Sequence, residues 1–189
     1  MTAKHLLDNK LFFLCSGSCI AYAESTETRK HHYGYGGLAR HTHEVITIAM
    51  DVCHRFPQYQ IDEIELFLAA LFHDAGKMYD YKEEKSKENW GGMQWVKTPH
   101  KRTIHHISRS GIVWHDAVSK LGNSIDAAEF YAKYHDPVLH AILSHHGTRE
   151  WGSPVAPKSR VAWLVHLCDG ISARMNDADT LDVVRDRKT

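Results

Sequence analysis

The sequence predicts an all-α fold, a compact bundle of helices, from two observations. Apolar residues recur with a period near 3.6 in one segment after another, and no stretch alternates convincingly with period two. Leu38, His41, Val45, Ile48, Ala49 and Val52 share one face of a first helix. Asp62 begins a second, with Ile64, Phe67, Leu68, Leu71 and Phe72 as its expected buried face and Gly76 near its end. Ile104, Ile107, Gly111, Trp114 and Val118 mark a third stripe. Pro137 fits the first turn of a fourth helix, whose face holds Leu139, Ile142, Leu143 and His146. Val161, Leu164, Val165, Cys168 and Ile171 form the stripe of the last.

Two segments fall outside this pattern. Residues 82–103 are polar, contain Gly91-Gly92, and interleave Trp90 and Trp95 with Lys97, Lys101 and Arg102. A loop that long inside a compact domain points to function. Residues 176–189 are charged and weakly apolar, and are expected to be a frayed helix or mobile tail. The domain therefore covers residues 1–175. At its start, Lys4 and Lys10 precede the run Leu11 to Cys15, and Ala21-Tyr22-Ala23 has the form of a leader-cleavage site. Asp8 and Asn9 break the charged part and Ser16-Gly17-Ser18 the apolar part, so a first amphipathic helix and loop is expected instead. No run reaches the roughly 20 apolar residues of a membrane span.

At 189 residues the chain suits one domain that buries roughly 70% of its unfolded surface. With 23 basic and 23 acidic residues there is no net field, so a grip on long nucleic acid by overall charge is excluded and any such binding must be local. The four cysteines, at 15, 19, 53 and 168, contain no CxxC pair and read as reduced core residues of a cytoplasmic protein.

Sixteen histidines are the outstanding feature, and many stand in adjacent or near-adjacent pairs: 31-32, 41-43, 105-106 and 145-146. Histidine is both the usual metal ligand and the usual acid–base group near neutral pH. His73-Asp74 closes an apolar helix, behind Leu66, Ala69 and Ala70 on the same face. A carboxylate emerging from a core face is expensive unless it is paired or bound to metal. His41 lies in line with its own apolar stripe where leucine would be expected, and Asp169 follows Leu164, Val165 and Cys168. Three core faces thus deliver metal-capable groups inward, which points to a buried metal site. His43 and Glu44 sit to one side of the stripe and read as surface groups.

In order, His41, His73-Asp74 and Asp169 match the H…HD…D signature of the HD-domain phosphohydrolases. Longer stretches resemble the HD catalytic domain of YhaM-type 3′–5′ exoribonucleases: 31–33 with 36–42, 71–77 (LFHDAGK), 106–108, 142–147 (ILSHHG), 150–157 (EWGSPVAP), and the helix around Asp169 as far as Met175. The resemblance implies that His41, His73, Asp74 and Asp169 hold a first metal ion. His106, His145 and His146 would contribute to a second, with Asp74 bridging and Lys77 meeting a substrate phosphate. Of the pair 105-106 the family pattern favours His106; of the pair 145-146 it favours His145, whereas the helical stripe favours His146. Asp74 and Lys77 are the expected catalytic residues. Histidine-rich ligation favours Mn²⁺, with Fe²⁺, Co²⁺ or Ni²⁺ as alternatives, over Mg²⁺.

The expected activity is trimming of single-stranded RNA or DNA from the 3′ end. The alternatives are a nucleotidase acting on small nucleotides and a catalytically silent HD domain that binds a nucleotide or a partner. Enzymes of the YhaM type carry an additional N-terminal OB domain, for which this sequence leaves no room. Strand binding is therefore expected from Trp90, Trp95, Lys97, Lys101 and Arg102, by stacking interleaved with charge.

Overall fold

The computed structural model describes residues 31–32, 36–85 and 93–176. The described helices are α1 (Gly37–Arg55), α2 (Glu63–Phe72), the single turn α3 (Lys77–Asp80), the short α4 (His100–Thr103), α5 (His106–Ser119), α6 (Ile125–Ser144) and α7 (Arg160–Met175). Between α3 and α4 lies one antiparallel hairpin, β1 (Tyr81–Lys85) and β2 (Met93–Lys97), paired from Tyr81↔Lys97 to Lys85↔Met93. The all-α expectation holds for the body of the protein. No described helix is long and apolar enough to cross a membrane.

Local chemistry sets the helix starts. Asp62 Oδ1 accepts from the Ile64 and Glu65 amides at 3.0 and 3.1 Å, and Glu63 and Glu65 complement the positive end of α2. Ser124 caps α6 through the Ala127 amide and Ser159 caps α7 through the Ala162 amide, both at 3.1 Å. Helix α2 sits at the centre, packed on α1, α6 and α7, and α5 covers α6. Val45, Ala49, Leu66, Ala69, Trp114, Val138, Ile142 and Val165 belong to one continuous buried cluster. Trp114 Nε1 donates to the His135 carbonyl at 2.9 Å and ties α5 to α6.

Four expectations need correction. Ile64 and Phe67 are exposed, 52% and 42%, and the buried face of α2 is Leu66, Ala69, Ala70 and Phe72. This helix is apolar nearly all round, so periodicity does not choose a face. Tertiary packing does: small alanines let three neighbouring helices approach. Ile104 and Ile171 are also exposed, at 40% and 46%. Pro137 lies inside a 20-residue helix, not at its start. The polar run that precedes it conceals more than two turns of α6, and the buried face is Tyr134, Val138, Ala141, Ile142 and then His145. Finally, the segment 82–103 is not a loop throughout but the second part of the hairpin followed by α4. The Thr98 amide donates to the Asp80 carbonyl at 2.9 Å, which closes the base of the hairpin against α3.

Of the cysteines, Cys53 and Cys168 are buried and unbridged, while 15 and 19 lie outside the described residues, as do the expected N-terminal helix and the tail beyond Asn176.

Candidate metal centre

Helix α2 ends at Phe72, and residues 73–76 form the turn into α3. That turn presses against the first turn of α5. The Gly76 amide donates to Ser110 Oγ at 2.8 Å, and a Cβ at position 76 would fall 2.1 Å from the His106 carbonyl oxygen. Only glycine allows this approach, which brings Asp74 and His106 to one place.

Around Asp74 the structure gathers His41 from α1, His73 from the end of α2, His106 from α5, His145 and His146 from the end of α6, and Asp169 from α7. Asp74 is fully buried, and its two carboxylate oxygens face different groups. Oδ2 lies 3.4 Å from His41 Nε2 and 3.5 Å from His73 Nε2. Oδ1 lies 3.6 Å from His106 Nε2 and 3.5 Å from His145 Nε2. Asp169 Oδ1 completes the first group, 3.0 Å from His41 Nε2 and 3.9 Å from His73 Nε2. His146 Nε2 joins the second, 3.3 Å from His106 Nε2.

Every one of these rings turns Nε2 inward and commits Nδ1 elsewhere. His73 Nδ1 donates to the Ala70 carbonyl at 2.7 Å and His145 Nδ1 to the Ile142 carbonyl at 2.6 Å. His146 Nδ1 donates to the Trp151 carbonyl at 2.8 Å. His106 Nδ1 donates to Asp80 Oδ2 at 3.2 Å. His41 Nδ1 donates to Ser172 Oγ at 3.0 Å, and that hydroxyl donates in turn to Glu44 Oε2 at 2.9 Å. Outer partners of this kind fix the tautomer and aim of metal-binding imidazoles.

The electrostatics ask for a cation. Burial pushes the His106 pKa well below its usual value, and Lys77 adds to this against the pull of Asp74. Burial, His145 and Lys77 take His146 down to about 3. Both rings are therefore neutral, and with their Nδ1 protons committed their two Nε2 lone pairs face each other across 3.3 Å. Beside them, His145 Nε2 is buried without a hydrogen-bond partner, and neither oxygen of Asp74 accepts one. Facing lone pairs repel, whereas 3.3 Å suits neighbouring donors around an ion with bonds of about 2.1 Å. In the first group, burial alone would lower His41, but Asp169 and Asp74 outweigh it and raise its pKa. Those carboxylates call for positive charge between them. Burial would raise Asp74 itself, yet Lys77 and the surrounding imidazoles hold it well below the usual carboxylate range. The donor set fits one or two divalent ions.

Lys77 is buried, with Nζ 2.6 Å from Asp74 Oδ2 as an ion pair. The other expected substrate-binding residues are less central. Trp90 and the side chain of Trp95 lie outside the described residues. Lys97 is exposed on β2 and Arg102 on α4. Lys101 is half-buried and donates to the Tyr81 hydroxyl; burial lowers its pKa to about 8, against the pull of Asp80.

Several residues here were not expected from the sequence. Asp80 takes His106 on one oxygen and His100 Nδ1 on the other at 2.7 Å, while Arg109 Nε donates to His100 Nε2 at 3.1 Å. Ser172 and Glu44 orient His41, so Glu44 is not the plain surface group it was expected to be; His43 is exposed as expected. The His31 ring lies 5.1 Å from that of His41, and these two with His32 form a further metal-capable group. The available signal was spacing: Asp80 follows Lys77 by three residues, and Ser172 follows Asp169 by three.

The chain is 32% identical over 152 residues to a protein named 3′-5′ exoribonuclease YhaM from Bacillus pumilus (strain SAFR-032). The alignment covers 80% of this chain and 43% of that relative. No solved structure matches the chain. The HD domain model matches residues 38–174, from the helix that carries His41 to the helix that carries Asp169. The chain therefore belongs to the HD-domain family of metal-dependent hydrolases.

Proposed function

We propose that the protein is a phosphodiesterase that shortens single-stranded RNA or DNA from its 3′ end, with manganese as its metal. The single observation that carries this reading is the divided aim of Asp74, one oxygen toward His41 and His73 and the other toward His106 and His145. In this reading His41, His73, Asp74 and Asp169 hold one ion, His106, His145 and His146 hold a second, and Asp74 bridges. Divalent ions bound there supply charge neutralisation at a phosphate and acidify a water molecule. Five imidazoles in the shell favour Mn²⁺, Fe²⁺, Co²⁺ or Ni²⁺ over Mg²⁺.

The chain's own residues prepare the site. Carbonyls and the side chains of Asp80 and Ser172 fix the imidazole tautomers, so the rings do not reorganise as charge develops. Burial of Asp74, His73 and His145 excludes water from the ligand side. The Lys77 ammonium, 2.6 Å from Asp74 Oδ2, is where a non-bridging phosphate oxygen would find a donor. Support for a strand substrate comes from the relative named as an exoribonuclease. A silent binding domain is disfavoured, because such a domain has no need of buried carboxylates with unfilled acceptors.

A second reading, hydrolysis of small nucleotides, is favoured by the even balance of 23 basic and 23 acidic residues. One assay separates the two: 5′-labelled single-stranded RNA beside a panel of nucleotides, with Mn²⁺ present and then chelated. The expected result is a Mn²⁺-dependent ladder shortening from the 3′ end. Intact RNA with phosphate or pyrophosphate released from nucleotides would replace the first reading with the second.

A further inference from the structure

Asp169 and His146 each show one edge to a cleft of about 670 Å³. That lies within the roughly 300–1,000 Å³ of small-molecule sites. Its opposite wall is apolar and open: Trp151 is 64% exposed, Ile171 46% and Met175 69%. Ile171 and Met175 stand one turn apart on α7, and Arg174 places positive charge on the same cleft. Large apolar groups left in water beside a polar metal centre need an occupant with a flat apolar face and an anionic end.

Trp151 is held ready for one. Its carbonyl accepts from His146 Nδ1, so the residue that orients a metal-facing imidazole also carries the exposed indole. The turn is closed by its own backbone: the Trp151 amide donates to the Thr148 carbonyl at 3.1 Å, and the Gly152 amide to the Arg149 carbonyl at 2.9 Å. Gly152 takes φ 97°, in the left-handed region where glycine is unstrained. The indole stacks at 30° against the His166 ring, with centroids 6.0 Å apart. Its position therefore does not depend on burial in the core.

We infer that this cleft is a nucleobase subsite in which Trp151 stacks the base attached to the phosphate at the metal centre, with Ile171 and Met175 as its apolar wall. The inference rests on the phosphohydrolase reading of the centre. The residues lining the cleft include no amide or hydroxyl side chain to read a base edge. Recognition here is by the face of the base, so all four bases are accepted, as in other stacking sites.

The test is calorimetric binding of adenosine 5′-monophosphate and of ribose 5-phosphate, which lacks the base, to the metal-loaded wild type, Trp151→Ala and Trp151→Phe. Because the indole is exposed, both variants fold. Trp151→Ala is expected to weaken the nucleotide about tenfold or more, in the range of one base–aromatic stack, and to leave ribose 5-phosphate unchanged. Trp151→Phe restores most of the affinity, and the cytidine, guanosine and uridine monophosphates show the same dependence. Nucleotide binding that is equally tight in Trp151→Ala, or no tighter than ribose 5-phosphate in the wild type, overturns the subsite. The two readings fail separately. RNA cleavage with nucleotide binding indifferent to Trp151 removes the subsite and leaves the activity. Trp151-dependent binding without cleavage of any phosphoester does the reverse.

Discussion

Asp74→Ala is expected to abolish hydrolysis, a loss on the order of 10³-fold or more, and to release metal from the purified protein. A bound divalent ion supplies several kcal/mol of transition-state stabilisation, and each ~1.4 kcal/mol is tenfold in rate. Asp74 is the only side chain that faces both histidine groups, at 3.4 to 3.6 Å, so its removal takes a donor from each. The fold has reason to survive. Both oxygens are buried and accept no hydrogen bond, so no protein hydrogen bond is lost with them, although Lys77 loses its ion partner. Turnover and metal content measured together check this: a folded variant that keeps metal and normal turnover would remove Asp74 from the centre.

Gly76→Ala is the second large effect. An added methyl would lie 2.1 Å from the His106 carbonyl oxygen and 2.8 Å from the Ser110 amide nitrogen. Both are backbone atoms of α5, so the clash is relieved only by moving α5 from the His73-Asp74 turn. Overpacking of this kind costs about 2–3 kcal/mol, or about 5–10 °C in Tm for a chain of this size. Activity is expected to fall with it, because the displaced turn of α5 carries His106. Gly111→Ala is the comparison. There the added methyl meets only the Leu139 Cδ1 methyl at 2.9 Å, the far end of a side chain that can rotate away. Thermal melting of the two variants should separate them by several degrees, and equal melting would mean that the close approach at Gly76 is not required.

The core of this architecture was legible because a few groups break an apolar rule. His41, His73 and Asp74 interrupt stripes that are otherwise hydrophobic, and each is completely buried. The adjacent histidine pairs were only partly legible. At 145-146 the choice depended on the face of α6, and Pro137 suggested too late a start; the buried series Tyr134, Val138, Ala141 leads to His145, while His146 reaches the same cluster from the turn beyond. The face of α2 could not be chosen by periodicity, since Ile64 and Phe67 are as hydrophobic as the residues actually buried. Asp80, Ser172 and Glu44 were illegible for another reason. They act through hydrogen bonds to His106 and His41 across 26 to 131 positions of sequence, and carry no stripe or motif of their own. Trp151 was overlooked because an exposed tryptophan has meaning only once the cleft beside it is known.

The central claim is that Asp74 stands between two metal positions. The most direct measurement is an anomalous difference map, recorded near the manganese edge, from crystals of the protein grown with Mn²⁺. The account predicts two peaks, one among His41, His73 and Asp169 and one among His106, His145 and His146, with Asp74 between them. A manganese-loaded, active protein whose anomalous peaks lie away from these residues would contradict it.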